Sequence, residues 1–154
     1  MPAKPPDPDV QKIIERIESG KRQSLVILFI PSHTKNEHEI PSQDQWADAA
    51  LDLFAELYGG ATAFQAFAGI YRDRVRNKDL RDKPILIESY AEIEKVKDEQ
   101  RLTPLLEFMK RMGRETEQAA VAVLIENTFH EITEFWLRLR IGREGDGRHQ
   151  SLCD

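Results

Sequence analysis

A chain of 154 residues, 40% hydrophobic and 32% charged, has the size and composition of one globular domain with a real core. Its formal net charge of −5 argues against general binding to nucleic acid or to an anionic membrane, and leaves only a local basic patch open to such use. The single cysteine, Cys153, has no internal partner, so nothing implies an oxidising compartment, and cysteine-based catalysis in the core is excluded.

The opening MPAKPPDPDV holds four prolines and no apolar run, so it reads as neither a signal nor a transit peptide. Residues 1–8 are expected to be disordered or extended, and residues 9–141 to form a single domain. The longest strongly apolar stretch, residues 25–31, falls far short of the roughly 20 residues that span a bilayer. A cytoplasmic location without membrane contact is expected.

Asp9 is placed to cap a first helix, on which Val10, Ile13, Ile14 and Ile17 recur at helical spacing and which Gly20 ends. Residues 24–31 (SLVILFIP) are apolar on both faces, as in a central strand. After a polar loop, Ser42 and Gln45 have capping-box spacing and open a helix whose stripe is Trp46, Ala50, Leu53, Phe54 and Leu57. Gly59-Gly60 ends it. Residues 61–71 (ATAFQAFAGIY) read as a second strand, a charged segment follows, and residues 84–91 (PILIESYA) alternate as a third. Residues 91–112 are helical in one or two pieces, closed by Gly113. Residues 119–125 form a strand that Glu126-Asn127 turns into a hairpin with residues 128–132, and residues 135–141 are a candidate further strand. The tail, residues 142–154, is expected to be disordered.

After the first helix the order is β, α, β, β, α, β, the split-βαβ or ferredoxin-like arrangement of the α+β class. It pairs an antiparallel sheet with helices on one face. Strand alternation then sorts side chains between a helix-covered face and an open one. It assigns Gln65, Tyr71, Glu88, Tyr90 and Glu126 to the open face.

A carboxylate partly withdrawn from water beside two tyrosines is suited to acid/base work, so Glu88, Tyr90 and Tyr71 are the candidate catalytic residues. The alternative is that Glu88 and Glu126 are solvated or pair with arginines at a subunit contact. His33 and His38, with Glu37 and Glu39, are ligand types for a transition metal, although no helix fixes their spacing. A polar loop with two titratable histidines is the plainer reading. Residues 72–83 carry six basic side chains against three acidic ones: a positive loop able to grip phosphates, or a self-paired hairpin. The stacking aromatics of RNA-binding sheets are missing from PILIESYA, which disfavours nucleic acid. GxGxxG, GxxxxGK[ST], GxSxG and CxxC are also absent.

GGATAFQAFAGIYRD, MGRETEQAAVAVLIENTFHEI and the intervening ESYAEIE resemble segments of small, uncharacterised bacterial proteins of ferredoxin-like fold. The matching positions are Gly60, Thr62, Tyr71, Arg72, Glu88, Gln118 and Val121, within residues 24–132. The resemblance implies the fold and carries no activity. The expectation is therefore a binding or interaction protein that pairs with itself, as a homodimer, through its open sheet face, and needs no cofactor. The alternative is a small enzyme with Glu88 as acid/base and Arg72 holding an anionic small molecule. Gln65, Glu126 and Gln118 would line that ligand site.

Overall fold

The computed structural model describes residues 7–17 and 23–136. Helix α1 (Pro8–Ile17) begins one residue before Asp9. The Asp7 carboxylate accepts the Asp9 N–H at 2.9 Å, so Asp7 does the capping and Pro8 occupies the first turn, where a missing N–H costs nothing. Strand β1 (Gln23–Ile30) follows the short stretch that contains the expected stop at Gly20, which lies outside the described residues.

Helix α2 (Gln43–Tyr58) starts where the capping box predicts, but the Ser42 side chain makes no cap bond. Gln43 anchors that end instead, its amide donating to the carbonyls of Lys83 at 2.9 Å and Ile30 at 3.3 Å. Gly59 ends the helix in the left-handed region, φ 91°, with its N–H on the Ala55 carbonyl.

The expected strand over 61–71 is two strands. β2 (Thr62–Gln65) stays in the main sheet, while β3 (Gly69–Asp73) leaves it and pairs with β4 (Lys78–Asp82) in a separate ribbon. The charged segment is thus a hairpin rather than a flexible loop. β5 (Ile85–Glu92) re-enters the main sheet and leads to α3 (Ile93–Lys97) and α4 (Glu99–Glu115). Extended Asp98 separates these helices and caps the second, its carboxylate accepting the Gln100 N–H at 3.2 Å. β6 (Val121–Ile125) and β7 (Thr128–Ile132) form the expected hairpin. Its turn residues Glu126 and Asn127 have φ of 50° and 63°, the double positive φ of a type I′ turn.

Gly113 does not close α4. It is buried two residues before the end, where an added Cβ would collide with the Phe135 ring, so the glycine lets the chain after β7 pack against the helix. Phe135 and Trp136 are not in a strand, and the rest of the expected 135–141 strand lies outside the described residues.

The main sheet has the order β2-β5-β1-β6-β7, every neighbouring pair antiparallel. β1 and β2 run the same way with β5 between them, and β5 and β6 do so with β1 between. These are two interlocked split-βαβ crossovers. The protein is of the α+β class. The core lies between the helices and one sheet face, on Val26, Leu28, Ile30, Ile87, Phe54, Leu105, Met109 and Met112, all 2% exposed or less. Among the described residues no helix is long and apolar enough to cross a membrane.

Candidate functional site on the open sheet face

Cross-strand partners in an antiparallel sheet point to the same face, so the register defines the uncovered surface. One row crosses all five strands: Thr62, Glu88, Ile27, Leu124, Phe129. A second joins Phe64, Leu86 and Phe29, and a third pairs Tyr90 with Leu25. The Phe29 and Phe129 rings meet edge to face, with centroids 6.0 Å apart. Phe64, Phe129 and Tyr90 are each about half exposed, at 50%, 49% and 58%. The face is therefore chiefly apolar and aromatic.

Glu88 sits within it, half-buried, between Thr62 and Ile27. It has no hydrogen-bond or ion-pair partner among the described residues. Tyr90 follows two residues on, roughly 7 Å along the same face. Alternation within a single unbroken strand places this pair correctly.

The other expected site residues lie elsewhere. Gln65 pairs with Ile85 on the helix side, and its amide is occupied by the carbonyls of Lys83 at 3.0 Å and Ala66 at 3.1 Å. Phe64 takes its place on the open face, because the strand breaks after Gln65 and the parity counted onward to Tyr71 does not hold. Tyr71 belongs to the ribbon, with its ring over Gly69. Burial, with the nearby Asp82 carboxylate, pushes its phenol pKa up. Arg72 is paired with Asp79 at 2.9 Å on the same ribbon. Glu126 occupies the left-handed turn and meets Lys97 of α3 at 3.5 Å. Gln118 braces a loop, donating to the carbonyls of His33 at 2.9 Å and Thr116 at 3.0 Å. The structure does not bring Tyr71, Arg72, Gln118 or Glu126 to Glu88.

A second polar cluster pins the ribbon to the end of β1. The Asp82 carboxylate accepts from the Ser32 N–H at 2.7 Å, from the Lys83 N–H at 2.9 Å and from the Ser32 hydroxyl. Ser32 Oγ in turn accepts the Lys83 N–H at 2.8 Å and lies 2.7 Å from His33 Nδ1. Because the single hydroxyl proton goes to Asp82, His33 Nδ1 is assigned as the donor. Serine, histidine and aspartate thus meet without forming a nucleophilic triad: both lone pairs and the proton of the hydroxyl are used. Asp82 is fifty positions from Ser32 in the chain, and no spacing signal announces the cluster.

His38 is exposed in the 33–39 loop, where its carbonyl accepts the Thr34 N–H at 2.8 Å. Among the described residues no group of three or more His, Cys, Asp or Glu side chains is placed to hold a metal ion. Of the ribbon cations, Arg72 is paired with Asp79, and Lys78 meets Glu37 at 2.8 Å, holding that carboxyl below its usual range. Arg76 is drawn to the Lys35 carbonyl at 2.7 Å. Three of the six basic side chains are thus already engaged within the chain.

No protein-family model matches the chain, and no curated protein matches it, so the resemblance to bacterial proteins gains no support there. Two solved structures share its fold. One is a phage SAM lyase in complex with S-methyl-5'-thioadenosine, at a TM-score of 0.55 and 16% identity, covering 77% of this chain and 95% of the other. The second is a phage SAM lyase in the apo state, at 0.50 and 16%, covering 79% and 96%. Identity this low speaks for the fold alone.

Proposed function

We propose that the protein associates with a second copy of itself through the open sheet face and holds a small organic cation there at Glu88. The supporting observation is the unpaired Glu88 carboxylate in a row otherwise made of Thr62, Ile27, Leu124 and Phe129. Five strands about 4.8 Å apart and about six residues long offer roughly 500 Å² of face. Specific, stable interfaces use about 600–1,000 Å² on each partner, so this pairing falls below them, among weak associations whose equilibrium a bound ligand shifts measurably.

Covering Glu88 without a cation leaves a desolvated, uncompensated charge, which costs several kcal/mol. Where the two-fold axis passes beside Glu88, its own copy adds like-charge repulsion. A cation answers both problems, and Phe29, Phe64 and Tyr90 supply aromatic surface for it. The anionic ligand expected from sequence loses its cation holder, since Arg72 is committed to Asp79.

The fold likeness favours one chemical version of this reading. SAM is a sulfonium, and S-methyl-5'-thioadenosine is a neutral thioether that remains when a C–S bond of SAM breaks. Glu88 is then the base that removes a proton from the carbon next to the cleaved one; that C–H pair forms a C=C bond in the departing chain while the C–S electron pair returns to sulfur.

Light scattering across a concentration series checks the assembly; a strict monomer with and without added SAM sinks it. Calorimetry with SAM and S-methyl-5'-thioadenosine checks the cation. The expected result is tighter binding of SAM, with the preference lost in Glu88→Gln. Equal affinity for both compounds in the natural chain removes the cation from the reading. Product analysis after incubation with SAM separates catalysis from binding.

A further inference from the structure

The outward face of the β3–β4 ribbon carries side chains that nothing in the chain uses. Its other face is held down, Asp82 on Ser32 and Lys78 on Glu37. Register puts Ile70 opposite Arg81 and Arg72 opposite Asp79 on the outward face, with Ile70 57% exposed. Val75 stands at the tip beside Arg74, 97% exposed. With Arg72, Arg76 and Lys78 engaged, the ribbon cations left over are Arg74, Arg81 and Lys83. Their side chains are exposed and have no hydrogen-bond or ion-pair partner among the described residues.

In the helix layer, α2 and α4 leave an open groove of about 650 Å³ with the opposite charge along it. Leu53, Pro104 and Phe108 give it an apolar floor, beside which stand Asp52, Glu56 and Glu107. These carboxylates are exposed and likewise without partners among the described residues. The arginines of the groove are occupied. Arg111 lies over the Trp46 and Phe108 rings and reaches Glu115 at 3.8 Å, and Arg114 donates to the Phe135 carbonyl at 2.6 Å.

We propose that the ribbon of one molecule docks into the α2–α4 groove of a second copy. Ile70 and Val75 then rest on the apolar floor, and Arg74, Arg81 and Lys83 meet Asp52, Glu56 and Glu107. Complementarity selects this occupant: three unpaired cations among exposed hydrocarbon match three unpaired carboxylates beside an apolar floor. The lengths agree as well, about 17 Å for five ribbon residues and about 15 Å from Pro104 to Arg114 along α4. Since both sets of charges lack partners, the ribbon does not reach its own groove, and the contact joins different molecules. The two surfaces differ, so the contact is heterologous and propagates from molecule to molecule rather than closing as a two-fold dimer. The ribbon face measures only about 10 Å by 17 Å, far below the roughly 800 Å² per partner of a stable interface. Assembly through it therefore needs low salt and high protein concentration. None of these residues lies on the open sheet face, so this contact stands or falls independently of the proposed self-association.

Sedimentation at low salt tests it with two full-length variants, Arg74→Glu/Arg81→Glu on the ribbon and Asp52→Lys/Glu56→Lys on the groove. The natural chain is expected to give species larger than a dimer. Each variant alone is expected to give none, because its ribbon and groove then carry like charge. Mixing the two variants restores them, since each ribbon meets a groove of opposite sign. A natural chain that never exceeds a dimer overturns the proposal, as does a mixture no larger than its parts. Raising the salt is expected to lower the association constant of the natural chain about three- to 150-fold, the range for three exposed ion pairs. A salt-independent constant refutes the charge pairing. Val75→Ser leaves every charge in place and is expected to weaken the contact about tenfold, as burial of a valine requires. An unchanged constant refutes the seating of the tip on the floor.

Discussion

The two faces of β1 are equally apolar in sequence and opposite in fate. Val26, Leu28 and Ile30 are wholly buried beneath the helices, whereas Leu25, Ile27 and Phe29, interleaved with them, stay partly exposed. The covered face is closed within one chain, with α2 and α4 supplying its second layer. The open face carries as much hydrocarbon and no second layer. It also carries a charge, Glu88, which the covered face of β5 avoids by placing Ile87 and Ser89 there. One strand thus contributes to folding on one side and offers an association surface on the other, so the two sides should respond differently to substitution.

The largest expected effect is on the covered side. Leu28→Ala removes a fully buried side chain at the centre of the core and should cost about 2–5 kcal/mol in chemical denaturation. A loss below about 1 kcal/mol breaks the contrast between the faces. Gly113→Ala should cost about 1–3 kcal/mol, because the Phe135 ring or the α4 backbone must shift to admit the methyl group. On the open side, Phe29→Ser should change monomer stability by under about 1.5 kcal/mol, since the ring is already partly in water. The same substitution should abolish association in sedimentation experiments. A variant that unfolds without changing the association constant refutes the division of labour.

Glu88→Gln should leave the melting temperature unchanged or slightly higher, because it removes an unpaired charge from an apolar surface. It sharpens the comparison by separating ligand recognition from folding.

The smallest effect concerns pH. Burial pushes the Tyr58 phenol up to about 12 from 10, and its hydroxyl has no hydrogen-bond partner among the described residues. The unfolded chain therefore releases this proton first, so the contribution is complete below pH 10 and lost as pH rises through 12. Tyr58→Phe should flatten that alkaline limb and cost little at neutral pH. An unchanged alkaline limb refutes the assignment.

Much of this was legible in the chain. Unbroken alternation in residues 85–91 is enough to sort the two sides of that strand, and so to place Glu88 and Tyr90, whereas residues 24–30 are apolar on both sides and sort nothing. The reading failed where a long-range partner overrides a local signal. ATAFQAFAGIY is continuous in hydrophobicity, and nothing within it marks Ala66–Ala68 as the point where the chain leaves one sheet for another. Gly113 has the local features of a helix stop, yet its reason for being glycine is a ring twenty-two positions further on. The Ser32–His33–Asp82 cluster depends on how the ribbon folds back, which no spacing expresses.

The ribbon has a consequence for how this chain tolerates change in length. Its two ends are held side by side, the Ala66 N–H donating to the Pro84 carbonyl at 2.9 Å in continuation of the β2–β5 ladder. Everything between is an excursion that leaves and returns at the same rung. Closing such a loop costs only about 0.6 kcal/mol more for each doubling of its length, so the excursion can be shortened, lengthened or exchanged while the sheet register stays fixed. That makes residues 67–81, short of the Asp82 and Lys83 anchors, a natural grafting site in this fold.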